Sequence, residues 1–325
     1  MQYRKKCGII LKKKSGEKRK TKAIPLIKVA WDPIYVHPLP EKHRFPMEKY
    51  ELLPQQLLLE GTLEDENFFR PKAVSEEDIL AVHTATYWKR LSNLELSRKE
   101  QLRSGFPHSA LLIQREKIIT GGSIEAAKFA LENGIAFNIA GGTHHAYADR
   151  AEGFCLLNDI AIASSHLLRN KLAKQVLVID LDVHQGNGTA KIFENEKRVF
   201  TFSMHGEHNY PLRKEKSDLD IGVPDGISGS EYLEKLSYHL PRLIDHVKAD
   251  FIFFQSGVDI IETDKLGRLS VSIEDCKKRD EMVLSMAYSK KIPLMACMGG
   301  GYSPQIKHIV EAHANTYRLA VKLYG

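Results

Sequence analysis

No stretch of the chain approaches the roughly 20 consecutive apolar residues that a membrane span requires. The apolar segment near the N-terminus, CGIIL, is too short for the h-region of a secretory signal. Neither a membrane partner nor export is therefore expected, and the expected location is cytoplasmic. Cysteine is scarce: Cys7, Cys155, Cys276 and Cys297 are scattered, with no CxxC pair. That spacing excludes a dense disulfide framework and fits reduced thiols. From Ile27 onward there is no linker, low-complexity tract or repeat, so residues 26–325 are expected to form one domain.

The net charge of +6 is unevenly placed. Residues 1–25 hold ten Lys/Arg and a single acid, Glu17, which leaves 37 basic against 40 acidic residues in the rest. The body is thus mildly acidic, and the basicity belongs to a leader, KKKSGEKRKTK, without apolar periodicity. It reads as disordered and solvated. Contact with nucleic acid or an anionic surface is an alternative for this tail alone.

What is plentiful is alternation between short apolar runs and longer amphipathic ones. SIEAAKFALENG (123–134) is expected as a helix with Ser123 as N-cap and Gly134 as its stop. IAFNIAGG follows as a strand, then helix NDIAIASSHLLRNK, strand 175–181 and a short helix through Ile192 and Phe193. Strand RVFTFSMH precedes a helix over 230–247, expected to bend at Pro241. Strand DFIFFQSG, a helix over 274–290 behind Ser272, strand IPLMACM and a terminal helix after Pro304 complete the pattern. Unalternating apolar strands separated by helices indicate a single doubly wound α/β domain, its mostly parallel sheet covered on both faces.

In such sheets ligands bind beyond the carboxyl ends of the strands. Four predicted strands end in unusual chemistry: GGTHHA, DLDVHQGNG, SGVD and MGGGY. In QVLVIDLDVHQGNGT (175–189), a period of two places Asp180, Asp182 and His184 on one strand face, successive side chains about 6.6 Å apart. Buried without partners, such groups are costly. A third acid, Asp259, ends another strand, and two carboxylates with one imidazole suit an open, catalytic zinc site. Two carboxylates also weaken the ion as an electrophile, so a hydrogen-bond donor for a developing oxyanion is required. Tyr302, behind Gly299, Gly300 and Gly301, is the expected donor. The tandem His144 and His145 are candidates for general acid and base, their second ring nitrogens oriented by Asp180 and Asn187.

With these segments assembled, the sequence resembles the histone deacetylase family of zinc amidohydrolases, in the arginase/deacetylase superfamily. The matching segments are GGTHHA, EGFCLLND, VIDLDVHQGNG, VFTFSMH, SGVDIIETDKLG and MGGGY, in the family's order, over roughly residues 27–325. The wording DIIETDKLGRLSVS and the compact length look most like the class IV branch and its bacterial relatives. The resemblance implies the arginase/deacetylase fold and zinc on Asp182, His184 and Asp259, with iron(II) as an alternative. It implies His145 as general base, His144 as its partner and Tyr302 as the carbonyl-polarising residue. Substrate contacts are implied for Gly153, Phe154 (one tunnel wall), Tyr210 and Gly300, and Arg44 is implied to line an internal channel for acetate. Asp180 would orient His144 and, with Ser203 and the backbone of Asp182, His184 and Met204, hold a structural potassium or sodium ion.

Three departures stand out. Asn187 occupies the place of a second aspartate, the wall opposite Phe154 falls near Asn209 and Tyr210, and residues 93–116 offer no acidic rim loop. The expected activity is hydrolysis of the amide of an acetylated or longer-acylated lysine by metal-activated water. A deacetylase of acetylpolyamines or other small acylated amines is the alternative. A binuclear manganese ureohydrolase is disfavoured because Gly186 stands where a further acidic ligand would be needed. A non-catalytic acyl-lysine-binding module is disfavoured because no ligand is lost and the tyrosine is present.

Overall fold

Strands that are apolar on both sides need cover on both sides, and the computed structural model, which describes residues 27–325, supplies it with helices. The strands are β1 (Lys28–Ala30), β2 (Phe68–Phe69), β3 (Ile135–Asn138), β4 (Val176–Asp180), β5 (Val199–Gly206), β6 (Leu219–Val223), β7 (Phe251–Gln255) and β8 (Leu294–Cys297). They form one sheet in the order β2-β1-β3-β8-β7-β4-β5-β6, and every neighbouring pair is parallel. Every residue of β3, β4, β7 and β8 is buried. These four central strands carry the four unusual C-terminal segments, which the parallel pairing brings to one rim.

The helices are α1 (Lys49–Leu59), α2 (Glu76–Leu80), α3 (Ala85–Ser92), α4 (Arg98–Ser104), α5 (Ala110–Asn133), α6 (Asp159–Arg169), α7 (Asn187–Phe193), α8 (Gly229–Val247), α9 (Ile273–Lys290) and α10 (Ile306–Tyr324). Their starts follow side-chain chemistry. Asn158 caps α6 by accepting from the Ala161 N–H, and Ser272 caps α9 by accepting from Asp275, with Glu274 and Asp275 favourably placed in the first turn. Ser228 and Glu231 form a reciprocal capping box on α8, which runs through Pro241 as one helix. Helix α5 packs along β1, β3 and β8, while α9 lies against α8 and α10.

Two expectations are corrected. Helix α5 begins at the Ser109 cap rather than at Ser123, which lies buried in mid-helix, donating to Asp159 at 2.5 Å and accepting from Asn138 at 2.9 Å. Gly121, just before Ser123 in the same helix, serves close packing: a Cβ there would sit 1.8 Å from the Lys72 carbonyl oxygen. The second correction concerns β4, which ends at Asp180, so Asp182 and His184 lie on the following turn. The remaining elements before residue 110, and β6, have no counterpart among the expected elements. The basic segment 1–25 lies outside the described residues. Cys155, Cys276 and Cys297 are free and buried. No described helix is long and apolar enough to cross a membrane. The chain is a single α/β domain with an eight-stranded parallel sheet.

Candidate active site

Beyond Asp180 the ladder gives way to side chains that bond the backbone. Asp180 Oδ1 accepts from the Asp182 N–H (3.2 Å), Asp182 Oδ1 from the His184 N–H (3.0 Å), and Asp259 Oδ1 from the Val183 N–H (2.9 Å). The first two, Asx-type bonds, and the third, a bond between loops, hold a tight turn in which alternate residues face the same way without being a strand. One turn therefore presents both Asp182 and His184, and the loop after β7 adds Asp259.

The ligand atoms of Asp182, His184 and Asp259 all lie within 4.8 Å of one another, and all three residues are buried. His184 Nδ1 is 3.1 Å from Asp182 Oδ1 and 3.1 Å from Asp259 Oδ2. Burial alone would lower the His184 pKa, but hydrogen bonds and charge from the two aspartates push it up to about 10. The cluster thus calls for a positive charge between its oxygens. Space has been kept for it: a Cβ on Gly300 would fall 2.0 Å from Asp259 Oδ2, and one on Gly257 2.1 Å from Asp182 Oδ2. A compact O, N, O donor set of this kind fits a divalent metal with positions left open.

The tandem histidines stand beside this set, both buried, with rings 4.1 Å apart. His144 Nδ1 lies 2.7 Å from Asp180 Oδ2, and His145 Nδ1 lies 2.6 Å from Asn187 Oδ1. Burial disfavours the charged form of both. For His144 the Asp180 and Asp182 carboxylates outweigh that cost and push its pKa up to about 9. For His145, burial and the neighbouring His144 and His184 all act downward, and it is held well below the usual imidazole value. Adjacent in sequence, the two rings differ in electrostatic setting.

Tyr302 follows two left-handed glycines, Gly299 (φ +70°) and Gly301 (φ +152°), conformations that favour residues without a Cβ. Its backbone N–H donates to Asp264 Oδ2 at 2.5 Å, and its ring lies 6.4 Å from that of His184. Burial, then the Asp259 and Asp182 charges, raise its pKa well above the usual phenol value, so it keeps its proton. Two cations absent from the sequence reading brace this region. Lys49, fully buried on α1, donates to the Gly299 carbonyl at 2.9 Å and sits among the rings of Phe45, Tyr50 and Tyr302. Arg279, fully buried on α9, pairs with Asp280 and donates to the Leu181 carbonyl (3.0 Å) and the Gly257 carbonyl (2.6 Å). Both of those carbonyls belong to the loops that carry Asp182 and Asp259.

A cavity of about 330 Å³ opens over the site, lined by residues including His145, Gly153, Phe154, His184, Tyr210 and Tyr302. Phe154 is held at φ +67°, unusual for a bulky residue. Bonds from the Gly153 and Phe154 N–H groups to the carbonyls of Arg103 (3.1 Å) and Ser104 (2.7 Å) at the end of α4 fix that turn. Tyr210 sets its ring 5.0 Å from that of His145 and bonds Glu152 through its hydroxyl. Arg44 departs from expectation. It lines this outer cavity, its guanidinium 4.9 Å above the Phe154 ring, because the next residue, Phe45, takes the inward position. The small inner cavity of about 40 Å³ has Arg115 in its wall instead. Asp180 and Ser203 face each other in register across β4 and β5, with Met204 buried next to them, and Ser203 Oγ lies 2.9 Å from His205 Nδ1.

A model of the histone deacetylase domain matches residues 43–317. A protein of Picosynechococcus sp. is 42% identical over 296 residues, covering 91% of this chain and 99% of that one, and carries no assigned function. Histone deacetylase 2 of Arabidopsis thaliana is 32% identical over 279 residues, covering 82% and 72%. Among solved structures, an HDAC homolog complexed with SAHA superposes with a TM-score of 0.76 at 23% identity, covering 90% of this chain and 82% of that one. The HDA15 HD domain gives 0.75 at 20% identity, covering 89% of each chain. These two establish likeness of fold. Taken with a family match that spans the strand-end residues described above, the chain belongs to the histone deacetylase family.

Proposed function

We propose that this protein hydrolyses the amide of an Nε-acyl-lysine with the help of a zinc ion, or iron(II), held by Asp182, His184 and Asp259. Such an ion supplies Lewis-acid polarisation and makes water more acidic. One observation carries the reading: both tandem histidines have Nδ1 on a buried acceptor, leaving each Nε2 for proton transfer beside the three-donor set. His145 takes the proton of the attacking water, and the Tyr302 hydroxyl donates to the oxyanion that forms as the carbonyl carbon becomes tetrahedral. His144, held by Asp180, delivers a proton to the departing amine. The apolar cavity between Phe154 and Tyr210 admits an uncharged acyl-lysine stem and excludes water around it.

The rim favours this reading over acetylpolyamine hydrolysis. Arg44, Arg103 and Arg268 line the cavity and no Asp or Glu does; Arg268 is paired with Asp225 at 3.4 Å, so the excess positive charge at the rim is that of Arg44 and Arg103. A polycation approaching that mouth is repelled, whereas a peptide with acidic neighbours is attracted. The test offers the purified zinc-loaded protein acetyl-lysine peptides, longer acyl-lysine peptides and acetylpolyamines, with acetate or acyl release as readout. Acyl-lysine peptides with acidic flanks are expected to be hydrolysed with kcat/KM roughly 5- to 10-fold above those with basic flanks at low salt. The gap narrows as ionic strength rises, and an Arg44→Glu, Arg103→Glu variant reverses it. Acetylpolyamine turnover that exceeds every peptide would reject the lysine assignment, and no turnover of any amide would reject the deacylase.

A further inference from the structure

A neutral histidine acts as a base only through the ring nitrogen without a proton, so whatever fixes the tautomer of His145 decides whether it can work. Its Nδ1 faces Asn187 Oδ1 at 2.6 Å. A carboxylate in that place would accept through either oxygen, whereas an amide accepts at one end and donates at the other. Turned over, Asn187 would point its NH2 at Nδ1, and the imidazole proton would move to Nε2, where it blocks the base. The amide has to be held one way round.

The holding group is Tyr147, 5% exposed. Asn187 Nδ2 donates to the Tyr147 hydroxyl oxygen at 2.9 Å, and that hydroxyl donates to Glu215 Oε1 at 3.1 Å. A phenol has one proton, and a carboxylate only accepts. Glu215 takes the proton, so the oxygen of Tyr147 is left as an acceptor facing the amide. Burial, with the charges of Glu215 and Glu152, pushes the Tyr147 pKa up to about 12, which keeps that proton in place. Glu215 is itself fixed by Gln185, whose Oε1 accepts from the Glu215 N–H (2.9 Å) and whose Nε2 donates to the Glu215 carbonyl (2.7 Å). The Arg150 guanidinium closes the outer side, 3.4 Å from the centre of the Tyr147 ring.

We propose that Tyr147 and Glu215 are positioning residues for His145: the chain Glu215–Tyr147–Asn187 locks the amide so that His145 carries its proton on Nδ1 and presents a bare Nε2. The proposal rests on the reading of His145 as the base. Neither residue lies among the ligands, and both act through Asn187.

The test compares Tyr147→Phe with the parent full-length, zinc-loaded protein. Loss of one hydrogen bond to the amide is expected to lower kcat by roughly tenfold with KM changed by less than about twofold. In 15N-histidine spectra, the His145 signals are expected to move from a pure Nδ1–H pattern to a mixture of tautomers. Glu215→Ala acts in the same direction with a smaller loss. Because a carboxylate cannot be turned the wrong way, Asn187→Asp suppresses the defect: adding Tyr147→Phe to it changes kcat by less than about twofold. An unchanged kcat in Tyr147→Phe, or equal losses in both backgrounds, would overturn the proposal. If the parent protein turns over no substrate, the deacylase reading fails, while the nitrogen-15 shifts still decide the tautomer.

Discussion

Asp259→Ala is expected to lose bound metal and turnover together. Only three side chains among the described residues form the donor set, so removing one leaves a two-point site. Loss of a group that merely orients a ligand already costs 10- to 100-fold in metal affinity, so loss of a ligand is expected to cost at least about 100-fold. Asp259 also accepts from the Val183 N–H at 2.9 Å, so alanine removes a structural bond as well as a ligand. Asp259→Asn separates the two roles. The amide keeps an acceptor for Val183 and most of the shape but removes the charge, and it too is expected to purify with little metal while its circular dichroism stays unchanged. Metal analysis by mass spectrometry after dialysis reads both variants. Full zinc occupancy in Asp259→Ala would remove this residue from the ligand set.

Tyr302→Phe is expected to keep the metal and lose the chemistry. The substitution leaves the ring that packs against Phe45 and Phe154 (centroids 5.9 Å from each) and deletes only the hydroxyl. The glycine loop stays anchored, because Asp264 and Lys49 hold it through backbone atoms of Tyr302 and Gly299. Ground-state contacts therefore change little. On the proposed reading, two carboxylates beside the reacting carbonyl leave the oxyanion without a strong electrophile, and it would depend on the phenol proton. The expected result is a kcat lower by roughly 100-fold or more, as for loss of an oxyanion-hole donor, with KM within a few-fold. Near-normal kcat with full metal occupancy would mean that Tyr302 does not supply that proton.

These residues were legible in the sequence because each sits in a short contiguous segment at the end of an apolar strand. The parallel topology then brings β3, β8, β7 and β4 side by side. Spacing in QVLVIDLDVHQGNGT points to side chains that the structure does bring together with Asp259, but for a partly wrong reason, since Asx-type bonds rather than a strand repeat orient Asp182 and His184. Arg44 was misplaced because matching one arginine to a channel ignores which of two adjacent side chains turns inward. Lys49, Arg115 and Arg279 were illegible: in a helical segment a Lys or Arg ordinarily reads as a solvated face, and only burial by distant elements reveals otherwise. Strands of two or three residues, such as β1 and β2, are too short to express any period. The late start expected for α5 has the opposite cause: a serine ahead of a periodic apolar run reads locally as an N-cap, whereas the Ser123 hydroxyl is used in mid-helix to bond Asp159 and Asn138.

The bracket formed by Arg279 bears on how the protein would exchange a metal held by Asp182, His184 and Asp259. Many small metal sites exist only while the ion is present, because nothing else holds the ligands together. Here one guanidinium grips the carbonyls of Leu181 and Gly257, so the segments bearing Asp182 and Asp259 are tied to α9 whether or not an ion lies between them. Chelation is therefore expected to leave a native apoprotein, with near-UV dichroism preserved and the vacated site ready to be refilled. A cell's prevailing supply of zinc or ferrous iron would then choose the occupant after folding is complete. Enzyme made in one metal environment could be reset by another without passing through an unfolded chain.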